Sequence, residues 1–367
     1  MTVIDTGPLD EGALDESTAA EHIHGICLKT GPPRRIGVEL EWLVRDRRDP
    51  ALPVQAGRTA AAVSAFGAAA DCGTTGKDNE EPHVRPELPT SSRPGVLPSG
   101  ALLTAEPGGQ LEISSQPADS VAALVQATSE DLAALSAALA ADGLELEGTG
   151  LDPVRPPRRV LDLPRYAAME AFFDSGGPWG RQMMCGTASV QVCLDAGDDS
   201  DTQAGYRYRW RFLHAIGPVL VAAFANSPLR EGRPTGWKSS RQQVWAHMDA
   251  SRTRPPEVNG DPRADWTGYA LDAQVMCVPS EGDDWSAPPG VTLRDWVRGG
   301  ETRGGEAPGD AARGGETRGD GDAPADNGGE RGSRGDGTRG DGPRAGLIGR
   351  LPTTTDLEYH LSTLFPP

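Results

Sequence analysis

No apolar run in these 367 residues approaches the roughly 18 needed to cross a bilayer. The longest candidate, near Ile216 to Ala225, is interrupted by Pro218, so a membrane-spanning role is not expected. An excess of basic residues is also lacking. Lys and Arg total 35 against 53 Asp and Glu, and the net charge of −18 argues against nucleic acid or an anionic membrane as partner. The opening stretch MTVIDTGPLDEGALDESTAAEHIHG has no basic segment followed by an apolar one. No secretory or transit signal is readable in it, and a cytoplasmic location is the expectation. Cysteine is scarce: Cys27, Cys72, Cys185, Cys193 and Cys277 are odd in number, scattered, and never spaced as CxxC. That pattern excludes a zinc ribbon or a disulfide framework and leaves reduced, mostly buried thiols.

What is present suffices for one large domain or two ordinary ones with a real core. Residues 1–25 are acidic and poor in large apolar side chains, so they read as a disordered arm, with structure beginning near Ile26. One folded body is expected over 26–298. A low-complexity Gly/Arg/Asp insertion follows over 299–346, in which RGGETRG starts at Arg298 and again at Arg313. From Arg298 to Gly346, eight Arg meet ten acidic residues, and no apolar face recurs. This composition reads as a solvated spacer rather than an RNA-binding segment. A short structured return is expected over 347–367.

Within the folded body, IGVELEWLV alternates strictly from Ile36 to Val44, with Ile36, Val38, Leu40 and Trp42 on one face and Glu39 and Glu41 on the other. ALLTAEPGGQLEISSQP reads as a strand, a Pro107-Gly108-Gly109 turn, and a second strand carrying Gln110, Glu112 and Ser114 on one face. A helix is expected over Thr59 to Ala70. Another, capped by Asp119 or Ser120 and stopped by Gly143, presents Leu124, Leu132, Leu135 and Leu139 to the sheet. LELEGTGL, TASVQVCLD and YALDAQVMCV read as further strands, and Tyr206 to Asn226 as a long helix. His214 and His247 are expected on helices. Strands with carboxylates on one face and aliphatic residues on the other fit a sheet whose apolar side packs under helices and whose polar side lines a cavity, an α+β class.

The charged strand faces carry the chemistry. Two carboxylates two apart in a strand lie about 7 Å apart on one face, which is unfavourable unless a cation or solvent compensates. Magnesium prefers oxygen ligands and commonly bridges carboxylates to substrate phosphates. Glu39, Glu41, Glu106 and Glu112, with Gln110 or Gln191, therefore suit metal and ATP binding. For any one such strand taken alone, a solvent-facing charged surface is the commoner explanation.

Six blocks in order, IGVELEW, AEPGGQLEISSQP, MMCGTASVQVCLD, FANSP, GWKSSRQQVW and YALDAQVM, resemble the glutamate–cysteine ligase family of plants and many bacteria. WKSSRQQVW paired with EPGGQLEISS is similar to the actinobacterial branch that makes γ-glutamylcysteine for ergothioneine synthesis. The resemblance covers Ile36 to Val278 and the tail after the insertion. It implies a glutamine-synthetase-like funnel, a curved antiparallel sheet with helices packed outside and metals within. It also implies an ATP-dependent ligase that joins glutamate to cysteine through a γ-glutamyl phosphate, with ATP and Mg2+ at the site. By the same resemblance, Glu39, Glu41 and Glu112 hold metal, and Glu106, Gln110 and Gln191 attend the nucleotide. Arg241 meets substrate or phosphate as the catalytic arginine. Trp237 and Trp245 flank it and either wall the substrate pocket or belong to the core, and Asn226 either hydrogen-bonds substrate or caps the chain as it turns into Pro228. No protein nucleophile is required, so Cys193 is not expected to act covalently.

In that family, the block like EYHLSTLFPP runs on into a strand with a Glu and an Arg, whereas this sequence ends at Pro367. The difference leaves a second expectation, a non-catalytic nucleotide- and metal-binding relic or regulatory module. A third keeps the ligase but changes the amine acceptor, because residues that hold ATP and glutamate say little about the amine.

Overall fold

The computed structural model describes residues 14–68, 95–258, 260–299 and 348–364. In it the alternating segment IGVELEWLVRD forms β1 (Ile36–Asp46), the axis of the sheet. Before it lies α1 (Glu16–Cys27), and after it α2 (Ala56–Ala62), α3 (Ser64–Ala68), β2 (Gly95–Val96), β3 (Leu102–Ala105) and β4 (Leu111–Ser114). The long α4 (Val121–Ala141) returns to β5 (Leu144–Glu147), and α5 (Pro164–Ser175) and α6 (Trp179–Gly186) lead into β6 (Val190–Leu194). Then come α7 (Tyr206–Phe224), the small hairpin β7 (Leu229–Arg230) and β8 (Arg233–Pro234), α8 (Ser240–His247) and α9 (Ala250–Thr253). The last three helices are α10 (Pro262–Asp272), α11 (Leu293–Val297) and α12 (Thr354–Leu361).

The sheet is antiparallel with order β2-β3-β4-β1-β5. One edge of β1 pairs with β4, Glu41 opposite Glu112. The other edge is shared: β6 takes its first half, Glu39 opposite Gln191, and β5 its second half, Val44 opposite Leu146. Arg45 fastens that second half, paired with Glu147 and lying 3.4 Å from Asp152, while Arg155 reaches the same Asp152 at 2.7 Å.

Alternation sorts the two faces. Leu103, Leu111, Ile113 and Val44 meet Leu135 and Leu139 of α4 in one buried cluster, with Leu40 and Trp42 packed against it. Each such leucine contributes about 2 kcal/mol by leaving water. Ser120 caps α4 by accepting from Ala123 N at 3.2 Å, and Gly143 (φ 68°) follows its end. The sheet is open and uncurled, which agrees with the α+β class at the coarse level.

Two expectations are corrected. The arm expected over 1–25 is ordered from residue 14: α1 opens on a capping box between Asp15 and Thr18 and buries Ala19 and Ile23. Those side chains join Leu271, Leu293 and Leu357 in one cluster, and Glu16 bonds Arg294 at 2.6 Å. Only two large contacts are needed because the neighbouring helices supply the rest of the core, so acidic composition misled. Residues 1–13 lie outside the described residues. YALDAQVMCV is not a strand either: Tyr269 to Asp272 end α10, which starts at an Asp261 cap and Pro262. Past it the chain is extended but makes only isolated bridges, Gln274 to Thr292 and Cys277 to Ser286. The helix expected over Thr59 to Ala70 is the α2–α3 pair, broken at Val63.

The return after the insertion is integral to the core. His360 Nε2 lies 2.8 Å from Ala270 O, Leu357 is fully buried, and the buried Arg252 donates to Thr363 O at 3.1 Å. The insertion itself, 300–347, lies outside the described residues.

Candidate active site

The face of the sheet opposite α4 carries the carboxylates. Register places Thr104, Glu112 and Glu41 in one cross-strand row and Ser114, Glu39 and Gln191 in the next. Directly opposed side chains in such a ladder have Cβ atoms about 5 Å apart. Glu106 stands at the end of β3, where its N–H donates to Gln110 O at 2.8 Å and closes the turn through Pro107, Gly108 and Gly109. The turn seats tightly on α6, because a Cβ on Gly108 would collide with the backbone of Cys185.

Burial and mutual repulsion make the ionised form of this cluster unfavourable. The Glu41 carboxyl is pushed up to about 7, first by burial and then by Glu112, against the pull of Arg241. It accepts from Ser189 N at 3.0 Å and from Gln191 Nε2 at 3.2 Å. Glu106 is pushed up to about 8 by burial, then by Glu112 and Glu41, with Arg165 opposing. Glu39 is raised by burial and by Glu112. Glu112 accepts from Ser114 Oγ at 2.7 Å.

Two partly buried guanidinium groups border the carboxylates. Arg241, on α8, lies with Cζ 4.0 Å from the centre of the Trp245 ring, and its backbone N–H donates to Ser227 Oγ at 3.0 Å. Burial lowers its proton affinity while Glu41 raises it. Its Nε has no hydrogen-bond partner, and neither has the buried Nε of Arg165 on α5. Arg165 donates to Ser362 Oγ at 3.0 Å and acts electrostatically on Glu106. Tyr166 next to it is pushed up to about 12 by burial and then by Glu106, so it stays a neutral donor.

The expected residues thus divide. Glu39, Glu41, Glu112, Glu106, Gln191 and Arg241 with Trp245 are brought to one region. Gln110 is spent on packing: its Nε2 donates to Thr187 O at 2.8 Å and Met184 O at 3.4 Å, though its buried Oε1 is unpartnered. Asn226 is exposed and donates through Nδ2 to Gly148 O at 2.9 Å, tying the end of α7 to the loop after β5. Trp237 is half exposed and forms no wall. Cys193 shares the carboxylate face, but burial and Glu39 raise its thiol, which disfavours the thiolate. Sequence reasoning missed Arg165 and Tyr166; a basic residue preceding an aromatic one at a helix start carried no signal without the fold.

The donor set is all oxygen and suits a hard cation by chemistry. As arranged, however, no three such side chains converge on a metal position among the described residues. Glu41 and Glu112 instead turn to neighbouring donors. A cavity of about 520 Å³ lies elsewhere, between α5, α6 and the α8–α9 corner, lined by Phe172, Trp179, His247 and Met276 and by none of the carboxylates.

The site is thus a carboxylate-faced antiparallel sheet bordered by two partly buried arginines. The model of glutamate-cysteine ligase family 2 matches residues 35–367, and the chain belongs to that family. It is 36% identical over 367 residues to the glutamate–cysteine ligase EgtA of Mycobacterium tuberculosis, covering 98% of this chain and 67% of that protein. The EgtA of Mycolicibacterium smegmatis is 35% identical over 353 residues, covering 95% and 65%. The chloroplastic glutamate–cysteine ligase of Nicotiana tabacum is 30% identical over 202 residues, covering 54% and 38%. The chain therefore spans about two thirds of the length of the mycobacterial relatives. No described helix is long and apolar enough to cross a membrane.

Proposed function

We propose that the protein ligates the γ-carboxyl of L-glutamate to the amine of L-cysteine at the expense of ATP, with ergothioneine synthesis as the destination that the resemblance implies. The glutamate γ-carboxylate attacks the terminal phosphoryl group, releasing ADP and forming an acyl phosphate. The cysteine amine then displaces inorganic phosphate and loses a proton. Family membership together with the opposed Glu41 and Glu112 carries the reading.

Glu39, Glu41 and Glu112 would hold magnesium, with Glu106 and Gln191 alongside. Bound there, the ion would neutralise phosphate charge. Arg241 is largely desolvated and stacked on Trp245, and its unpartnered Nε leaves a donor available for a carboxylate or phosphoryl oxygen. The apolar underside of the sheet keeps the carboxylates fixed, and the reaction then gains chiefly from orientation. A funnel-shaped enclosure and a cytoplasmic setting accompany this reading. The relatives are named as ligases, which disfavours a non-catalytic relic.

The test is phosphate release from ATP in the presence of magnesium and glutamate, with and without cysteine. Release that needs glutamate, with γ-glutamylcysteine formed when cysteine is added, supports the proposal. Absence of product at every substrate combination rejects it. Replacing cysteine with 2-aminobutyrate reads the acceptor range.

A further inference from the structure

The cavity of about 520 Å³ between α5, α6 and the α8–α9 corner takes no part in the reaction proposed above, and its walls are chemically unlike the carboxylate face. Phe172, Phe173, Trp179, His247, Met248 and Met276 form its apolar lining. The Trp179 and His247 rings are stacked with centres 4.9 Å apart, and the Phe172 and Phe173 rings meet edge to face at 5.6 Å. One buried cluster, with Met169, Val244 and Met276 in it, has Tyr166 and Trp245 from the carboxylate side packed against it together with Phe172, Trp179 and Met248 from the cavity side. The two sites are therefore distinct and share a core. A cavity of this size, with apolar walls and few polar groups, has the form of a small-molecule site.

Its polar groups select by charge. Among the described residues that line it, Asp249 alone is an Asp, Glu, Lys or Arg. Asp249 Oδ2 accepts from Arg252 Nε at 2.6 Å and from Ser251 Oγ at 2.9 Å, and Oδ1 accepts from Ser251 N at 2.9 Å. A carboxylate offers about four acceptor positions, so one on Oδ1 is left over. Arg252 itself is fully buried and does not line the cavity; its other donors go to Thr363 and to Gln274 O. Its guanidinium lies 5.0 Å from the Phe172 ring centre, which leaves the Trp179–His247 pair as the aromatic wall for a second cation. An anion would find no Lys or Arg here and would be desolvated without a partner. A cation would find an aromatic wall and the remaining acceptor of Asp249.

We propose that this cavity is a second ligand site, which takes a small organic cation: an ammonium group beside Asp249 and Trp179, carried on a flat apolar body seated among Phe173, Met248 and Met276. Polyanions such as ATP are excluded by the same charge rule. The inference concerns binding alone and does not rest on the proposed ligase activity.

The test uses the full chain and three probes of similar shape and different charge: 2-phenylethylamine, 2-phenylethanol and 3-phenylpropanoate. Ligand-observed NMR titration should give the amine a Kd about tenfold below that of the alcohol, with no binding of the carboxylate. Amide exchange should slow over 172–180 and 247–251 when the amine is bound. Ala171→Trp fills the cavity from an exposed position on α5 and should abolish binding of the amine while the chain melts like the parent. Asp249→Asn keeps an acceptor for the cap of α9 and should remove the preference for the amine over the alcohol. Should that variant fail to fold because Arg252 loses its carboxylate, Ala171→Trp still decides. Glu112→Gln is the control and should bind the amine normally, since an amine drawn to the carboxylate face would lose affinity there. No binding of the amine at millimolar concentration, a carboxylate probe that binds as well as the amine, binding that survives Ala171→Trp, or loss of binding in Glu112→Gln would each overturn the proposal.

Discussion

Glu41 and Glu112 lie directly opposite one another across the β1–β4 ladder, two partly buried carboxylates facing the same side of the sheet. Opposed like charges destabilise a ladder, so a fold that retains them has a use for them. Changing either to Gln removes the repulsion and keeps an oxygen to accept from Ser189 N or Ser114 Oγ. Glu41→Gln and Glu112→Gln should therefore cut ligase turnover by about 100-fold or more. Thermal stability without metal should hold or rise. Equal activity with a lowered melting temperature would assign the pair to structure.

The same cluster sets a pH dependence. The ordinary glutamate value is 4.5, and folding lifts Glu41 to about 7 and Glu106 to about 8. The folded state thus binds more protons than the unfolded state over that interval. The stability due to these two groups is fully present below the unfolded value and is lost as pH rises through 7 and then 8. In chelator, the melting temperature should fall between pH 6 and pH 9 (~3 pH units, wide enough to span both transitions). Magnesium binding the ionised carboxylates should shrink that fall. A melting temperature flat in pH, with or without magnesium, would contradict the assignment.

Arg165 offers a sharper discrimination, because it was invisible in the sequence and yet acts on Glu106. Its Nη2 is used by Ser362, while its buried Nε is not used at all. Arg165→Lys keeps the charge but loses the planar donor set, and activity should drop by about 10-fold to 100-fold with folding retained. Removing the charge in Arg165→Gln should move the loss of stability due to Glu106 to still higher pH. A variant with unchanged kcat/KM and an unchanged pH profile would make Arg165 a tie for the α12 end alone.

How far the sequence disclosed this site follows from what each signal measures. The alternation of IGVELEWLV and QLEIS set both faces of β1 and β4, since a strand one face of which is buried admits a single register. Cap and stop residues located α4 to within a residue or two. Gln110 obeyed the same alternation yet ended under α6, because alternation reports the face and not what covers it. Arg165 and Tyr166 reach the site only through the packing of α5 and α6, which leaves no local pattern. The acidic α1 misled for the opposite reason: two buried side chains and a cap suffice when the core they enter is built by residues far along the chain.

Gly108 tests whether the β3–β4 turn positions the carboxylates. Its missing Cβ lets the turn rest on the Cys185 backbone, and Gly109 beside it has φ 86°. Gly108→Ala forces the turn away from α6, which should cost about 1–3 kcal/mol in chemical denaturation. It should also lower activity, because Glu106 and Gln110 close that turn. Full activity despite the stability loss would detach Glu106 from the reaction.

The two segments that flank the insertion meet in the core. Trp296 Nε1 on α11 donates to Arg350 O at 2.8 Å, so the chain leaves and re-enters the core at neighbouring points. α12 then docks through His360 and Leu357 however long the intervening stretch is. A connection of about six residues suffices to span so short a gap. Replacing residues 301–346 with a Gly-Ser linker of that length shortens the loop through about three doublings. At about 0.6 kcal/mol each, this should stabilise the fold by about 2 kcal/mol. Denaturant melts of the two forms would show the midpoint moving up, with ligase activity and the protection of α12 unchanged. A lowered midpoint or lost turnover would show that the Gly/Arg/Asp run contacts the core instead of merely connecting it.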